Sequence, residues 1–304
     1  MSSEDAPAIN SSPNPAQNLR GIAVMIIGMI GMAGTDASGK WLMTSDYSVF
    51  QVIAVRGWII VALMAAWVVF TKRIAQLKTR RPGAHGIRLI LAFGGPVLMF
   101  TALAKMPLAD VTVIIFGSTF LTTALSVPIF KEKVGLHRWS AVVLGFVGVV
   151  IALRPGAGVF EPIAVLALFA GVAFSTVNLT ARWLRDTEST LSITFYTMLG
   201  MAALSSLAIP FVWQPIPLGD LVIFVVMGVF TLIGYLGMTG AFVMAPVGVV
   251  APFEYTVLIF AVISGYLIWG DVPDGYVWTG AAIIVASGTY LIIRESRAHR
   301  LEAD

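Results

Sequence analysis

The sequence predicts an all-α polytopic membrane protein: ten transmembrane helices forming two inverted five-helix repeats, with the N- and C-termini cytoplasmic. Composition is the first reason. Of 304 residues, 58% are hydrophobic and 12% charged, with a mean hydropathy of +0.90, whereas a water-soluble domain is roughly a quarter charged. The second reason is that the charge gathers in short runs between apolar stretches of about 20 residues, the length that crosses a bilayer. The third is a recurrence of first-half motifs in the second half. The net charge of +3 does not point to nucleic acid, because the basic residues flank apolar spans. With no cysteine, disulfides, thiolate metal sites and thiol catalysis are excluded.

Apolar runs place spans near 20–41, 49–71, 87–105, 108–130, 138–154, 161–183, 190–212, 219–243, 247–269 and 275–294. Pro, Gly or charge punctuates nearly every connection. Residues 1–18, rich in Ser, Asn and Pro, read as a disordered cytoplasmic tail and not a basic signal-peptide n-region. The first repeat takes 19–155, the second 156–294, and 295–304 forms a cytoplasmic tail.

Lys and Arg set the orientation. With the N-terminus inside, fifteen lie on cytoplasmic segments: Arg20, Lys72, Arg73, Lys78, Arg80, Arg81, Arg88, Lys131, Lys133, Arg138, Arg182, Arg185, Arg294, Arg297 and Arg300. Lys40, Lys105 and Arg154 face outward, and Arg56 alone falls within a span. The split requires an even number of crossings.

Lys40-Trp41-Leu42 is echoed by Arg182-Trp183-Leu184 at an offset of 142. Pro107, Phe116, Glu132 and Trp139 match Pro246, Tyr255, Asp271 and Trp278 at 139. Five spans per unit is odd, so the second copy enters the membrane upside down, the architecture of many alternating-access carriers. These residues carry a resemblance. The two five-span halves, the helix ends Phe130-Lys131-Glu132 and Trp269-Gly270-Asp271, the Trp following each, and Asp36 ahead of Lys40-Trp41 resemble the drug/metabolite transporter superfamily in its ten-helix EamA-type branch. The resemblance covers about 20–294. It implies a central cavity lined by helices 1–4 and 6–9, with 5 and 10 to the side. It leaves the substrate open, since that branch holds exporters of amino acids and drugs and importers of vitamins and nucleotide-like compounds. Asp271 for the more usual Glu, and Lys131 opposite Gly270, are departures that leave the fold intact.

An ionised group at mid-membrane costs roughly 2.5–3.5 kcal/mol on insertion scales, so each needs a reason. At ~1.5 Å per residue, Asp36 stands ~24 Å, Arg56 ~18 Å and Glu254 ~11 Å above the cytoplasmic side. Arg56 is therefore expected to pair with Asp36, Glu254 or both, in a cavity or as a helix clamp. For Asp36 a bond to Lys40, one turn on, is the plain alternative, with Lys40 an interfacial anchor. Glu254 is the sharper candidate because its repeat counterpart is Ile115. Tyr255 beside it, and Asn178 in the sixth span with Ser175 and Thr176, complete the candidate substrate or coupling set. Pro96, Pro128 and Pro252 each remove a helix hydrogen bond and are candidate hinges. Thr112, Ser118, Thr119, Thr122 and Thr123 are expected to bond back to their own helix. The ridges Gly28-x-x-Gly31-x-x-Gly34 and Gly234-x-x-Gly237-x-x-Gly240 read as packing seams.

No G-x-x-x-x-G-K-[ST] occurs, so a gradient must drive transport, with Glu254 or Asp36 as the candidate proton carrier. There is no H-E-x-x-H, and His85, His137 and His299 fall in loops where they are expected to be solvated; the chain reads as no enzyme, with no cofactor and no metal. The function expected is secondary transport of a small organic metabolite across a bacterial inner membrane, foremost export of an amino-acid-like or related amphipathic solute. A zwitterion would suit Arg56 and Glu254 together. The alternatives are import of a vitamin or nucleoside-like compound such as riboflavin or S-adenosylmethionine, and a non-transporting membrane subunit. Partners are the substrate and the lipid bilayer, not nucleic acid; a monomer suffices, and a homodimer is compatible with it.

Overall fold

A computed structural model describes residues 15–117, 120–121, 124, 127, 136–153, 163–184 and 187–301. All of its regular structure is helical among those residues. In chain order the helices are α1 (Pro15–Thr44), α2 (Val49–Phe70), α3 (Pro82–Leu103), α4 (Leu108–Gly117), α5 (Leu136–Leu153), α6 (Ala164–Leu184), α7 (Thr190–Ser206), α8 (Leu218–Met244), α9 (Thr256–Trp269) and α10 (Gly275–Leu301). Six stretches are long and apolar enough to cross a membrane, and shorter apolar helices fill the positions between. Exposed Phe70, Ile90, Phe211 and Leu267 belong to an apolar exterior that only lipid can cover.

Local signals set the helix ends. The Ser48 hydroxyl accepts from Phe50 N at the start of α2, and Ser189 accepts from Ser192 N at the start of α7. These two caps occupy equivalent places in the repeats. Asp274 accepts from Tyr276 N and Val277 N to open α10. Gly270, at φ 73°, closes α9 in the left-handed conformation, with its own N–H on Tyr266 O and Asp271 N on Gly265 O.

The principal helix pairings map onto themselves when the two halves are exchanged. α1 packs on α8 as α6 packs on α3; α1 meets α9 as α6 meets α4; α2 meets α8 as α7 meets α3. α2–α7, α4–α9 and α5–α10 are their own counterparts. This is the inverted five-helix repeat seen as packing. Phe116 and Tyr255, counterparts in sequence, lie ring to ring at 5.8 Å and so straddle the axis relating the halves. The α5–α10 pair stands to the side, leaving the other eight helices around the centre.

The two glycine ridges face each other. A methyl at Gly28 would lie 3.0 Å from the Gly237 carbonyl carbon, and one at Gly31 2.6 Å from Gly234 N. Gly21 abuts Ala245 and Gly34 abuts Phe230, so residue numbers fall on α8 as they rise on α1: the helices are antiparallel. Beside the seam, Thr35 and Thr231 hydroxyls meet at 3.2 Å.

Polar latches join the connectors at each end. Opposite the termini, Tyr47 donates to Asp220 at 2.7 Å, while Gln51 and Gln214 exchange side-chain-to-backbone bonds at 2.7 and 2.9 Å. Burial, then donation to Asp220 and that residue's charge, pushes the Tyr47 phenol up to about 12. At the termini end, buried Glu188 accepts from Arg80 N, Arg81 N, Thr79 and Ser192 at 2.8–3.2 Å. Burial alone would raise this carboxyl, but the bonds from Arg80 N, Thr79, Ser192 and His85 outweigh it and hold the group at about 2. Its stabilisation is therefore present above the ordinary carboxylate value and is lost as pH falls towards 2. Glu188→Ala orphans several donors and is expected to cost about 1–3 kcal/mol of stability in detergent thermal unfolding. The acid-induced loss of stability between pH 4.5 and 2 should flatten in the variant.

The ninth crossing breaks where Pro252 requires. A turn of α-helix, Val247–Val250, gives way to a 3-10 segment, Ala251–Tyr255, before α9 begins. Its counterpart α4 runs unbroken over Leu108–Gly117. α3 continues through Pro96 without a break in its assignment. Pro128 lies outside the described residues, as do Ser118, Thr119, Thr122 and Thr123; Thr112 bonds back to Leu108 O.

Candidate functional site

The charged centre of the bundle is built from α1, α2, α3 and α8. Arg56 on α2 is 7% exposed, and its guanidinium lies over the Phe100 ring of α3, 5.2 Å from the centroid. Phe100 is itself buried and backs onto Gly39 of α1. Asp36 on α1 and Tyr235 on α8 lie within electrostatic reach of Arg56. No carboxylate among the described residues comes within 4 Å of Arg56, and its Nε–H is buried without a partner. A guanidinium stacked on an aromatic face gains up to about 2 kcal/mol when desolvated. That falls short of satisfying its hydrogen bonds, so the arrangement suits a ligand bearing acceptor groups on a flat ring or next to one.

The expected three-residue network is only partly assembled. Asp36 and Arg56 come together as neighbours through space and not as a contact pair. Arg56 is not among the groups acting on Glu254, so the expected Arg56–Glu254 pairing does not form in this structure. Depth along the membrane normal had placed them in reach, but Glu254 belongs to the 3-10 segment that packs on α1 and α10. Tyr255 turns towards α10, where a methyl on Gly288 would overlap its hydroxyl. With Pro252, Ile259, Val277, Trp278 and Ala282 it lines an apolar cavity of about 720 Å³. Ile259 and Trp278 are more than half exposed, so this cavity lies on the lipid-facing flank, apart from Arg56 and Asp36. Ser175 is buried on α6, and Thr176 bonds back to Val172 O and Ala173 O; the Asn178 side chain lies outside the described residues.

Three basic residues stand elsewhere than expected. Lys40 forms no bond with Asp36 and is no interfacial anchor. It is 6% exposed, and its Nζ meets Asp271 Oδ2 at 2.6 Å while resting 4.7 Å from the Trp269 ring centroid. A carboxylate and an indole in the other half outcompete the i,i+4 alternative. Arg88 is no free charge at the cytoplasmic foot of its span. It lies within α3 and donates to Val177 O at 2.6 Å, Thr180 at 2.7 Å and Thr197 at 3.1 Å, pinning α3 to α6 and α7. His85 is buried rather than solvated, 3.5 Å from Glu188 and packed on Tyr196. Both corrections follow from α3 beginning at Pro82, earlier than its apolar run.

Comparison with known proteins places this architecture. The profile of the EamA-like transporter family matches residues 19–154 and again 162–294. The chain is 28% identical over 278 residues to an S-adenosylmethionine uptake transporter of Rickettsia bellii, covering 91% of this chain and 95% of that protein. It is 31% identical over 230 residues to a riboflavin transporter of Vibrio cholerae, covering 75% and 77%. It is 27% identical over 196 residues to a pseudopaline exporter of Pseudomonas aeruginosa, covering 63% and 68%. A solved crystal structure 20% identical in sequence superposes with a TM-score of 0.62 over 90% of this chain and 99% of that one, a likeness of fold alone. With two successive matches spanning nearly all its helices, this chain is a multi-pass membrane protein that belongs to the EamA-like transporter family of the drug/metabolite transporter superfamily.

Proposed function

We propose that the protein is a secondary carrier that takes up a nucleoside-like or flavin-like metabolite through the Asp36–Arg56–Phe100 centre. The observation that carries this reading is the buried Arg56 guanidinium, lying over Phe100 with, among the described residues, no partner for its Nε–H and no carboxylate in contact. Such a group offers donors to ring carbonyls, ring nitrogens or a carboxylate, while Phe100 marks an aromatic wall. Relatives named for S-adenosylmethionine uptake and for riboflavin support this class over an amino-acid-like solute. A zwitterionic amino acid would need Arg56 and Glu254 side by side, and they act apart here. Export remains the second reading because one relative is named as an exporter.

Both termini lie in the cytoplasm in this proposal, with repeats at 19–155 and 156–294 between tails at 1–18 and 295–304. A monomer is the transporting unit. Pro252 acts as the hinge of the ninth crossing, and Glu254 beside it carries the coupling proton. Asn178 of the sixth crossing belongs to the proposed substrate set, and Tyr255 supports the hinge from the α10 side. Labelled S-adenosylmethionine and riboflavin, offered to proteoliposomes with and without an inward proton gradient, test the reading. Saturable accumulation of either supports it; accumulation of neither, with efflux of amino acids instead, sinks it. Glu254→Gln is expected to retain binding and to lose the response to the proton gradient. A gradient response that survives in Glu254→Gln removes the coupling role from this residue.

A further inference from the structure

We propose that the Lys40–Asp271 ion pair is the closing contact of the central cavity at the end of the bundle opposite the termini, made while that mouth is shut and separated each time it opens. The two residues come from different halves. Lys40 ends the last full turn but one of α1, and Asp271 follows the Gly270 cap of α9. Lys40 lies one helical turn beyond Asp36 and on the same face of α1, and the intervening Gly39 touches Phe100. The pair therefore sits directly over the Arg56 centre, on the α1–α9 contact between halves.

Its environment makes the contact two-state. The lysine is sealed, with 7% of its side chain exposed and the Trp269 ring against it, while the aspartate keeps 28% of its side chain exposed. A buried ammonium without its partner is strongly disfavoured, so Lys40 can leave Asp271 only when the mouth admits water. Closed and paired, or open and hydrated, are the two arrangements of low free energy. The repeat carries the same logic in its sequence. The counterpart of Lys40 is Arg182 and that of Asp271 is Glu132, so one base and one acid recur with the halves exchanged. Alternating access closes the two mouths in turn, and the recurring base and acid are the sequence counterparts of this pair for the opposite mouth.

The absence of cysteine allows a test that needs no substrate. Spin labels on Thr44→Cys and Val272→Cys, both exposed, report the separation of α1 and the segment after α9 across this mouth in proteoliposomes. In the otherwise native chain the short distance should dominate. Asp271→Asn should raise a discrete longer-distance population about tenfold, and the exchange Lys40→Asp with Asp271→Lys should return the short one. An unchanged distribution in Asp271→Asn overturns the proposal. So does a merely broadened single peak, which is what loss of a static clamp would give, or an exchange that fails to restore the short distance. If Asp271→Asn does not assemble, Lys40→Met is read in the same way. Because no solute is involved, this result stands apart from whether S-adenosylmethionine or riboflavin is carried.

Discussion

Arg56→Met is expected to reach the membrane at the wild-type level and to lose transport. Removing one member of a contacting buried ion pair costs about 3–5 kcal/mol, because the other charge is left buried and alone. Arg56 has no such partner: no described carboxylate lies within 4 Å, and its Nε–H bonds to nothing described. Its substitution by an apolar chain of similar length orphans no hydrogen bond among the described residues, and keeps contact with Phe100. Transport is another matter. If the guanidinium donates to substrate, losing a bond to a charged donor removes up to about 3 kcal/mol, or roughly 100-fold in the specificity of uptake. Arg56→Lys keeps the charge without the planar fork and stacked face, so a loss of roughly tenfold is expected. Protein level by immunoblot and initial rates with the solute that the wild type accumulates decide the matter. Disappearance of Arg56→Met from the membrane, with transport per molecule intact, would make Arg56 a clamp and remove the site.

Gly237→Leu should produce the largest loss of folded protein of any single glycine change on the α1–α8 seam. A side chain at Gly237 would start 2.5 Å from the Gly28 Cα and 2.8 Å from Gly28 N. Backbone cannot rotate out of the way as a side chain can, so the helices must separate and forfeit the contacts along Gly21, Gly28, Gly31 and Gly34. Overpacking typically costs about 1–3 kcal/mol, and leucine against backbone belongs at or beyond the top of that range. Gly240 is the internal control. A methyl there would lie 3.5 Å from a Val24 methyl, an ordinary contact, so Gly240→Ala should stay within about 0.5 kcal/mol of wild type. Thermal unfolding in detergent, followed by size-exclusion recovery, separates the two. Equal behaviour of the two variants would mean that α1 and α8 do not meet at this seam.

Crossings with uniform apolar character were legible to within a few residues: α2 runs 49–70 where the sequence indicates 49–71, and α8 runs 218–244 where it indicates 219–243. Apolarity marks the part of a helix in hydrocarbon, however, and not where the helix starts. α3 begins at Pro82, a favoured first-turn residue, and so carries His85, which reads in the sequence as a loop residue, into the packed bundle together with Arg88, which reads as the cytoplasmic foot of the span. The glycine ridges were legible as seams, though their pairing with one another was not. The Lys40–Asp271 contact spans 231 residues of chain, beyond any local signal, yet the repeat hinted at it by matching each with a residue of like charge. Depth arithmetic placed Arg56 between Asp36 and Glu254 along one axis. It was blind to the other two, and lateral position is what parts Arg56 from Glu254.

The unbroken α4 set against the broken ninth crossing has an energetic meaning. A carrier built from two identical inverted halves would have end states related by the two-fold axis between the halves, equal in free energy and equally occupied at rest. Pro252 ends that degeneracy, because whichever state the 3-10 segment favours has no equivalent on the α4 side. If the protein alternates between two states as proposed, Pro252, whose counterpart is Val113, gives the empty carrier a resting position and makes its forward and return strokes unequal in rate.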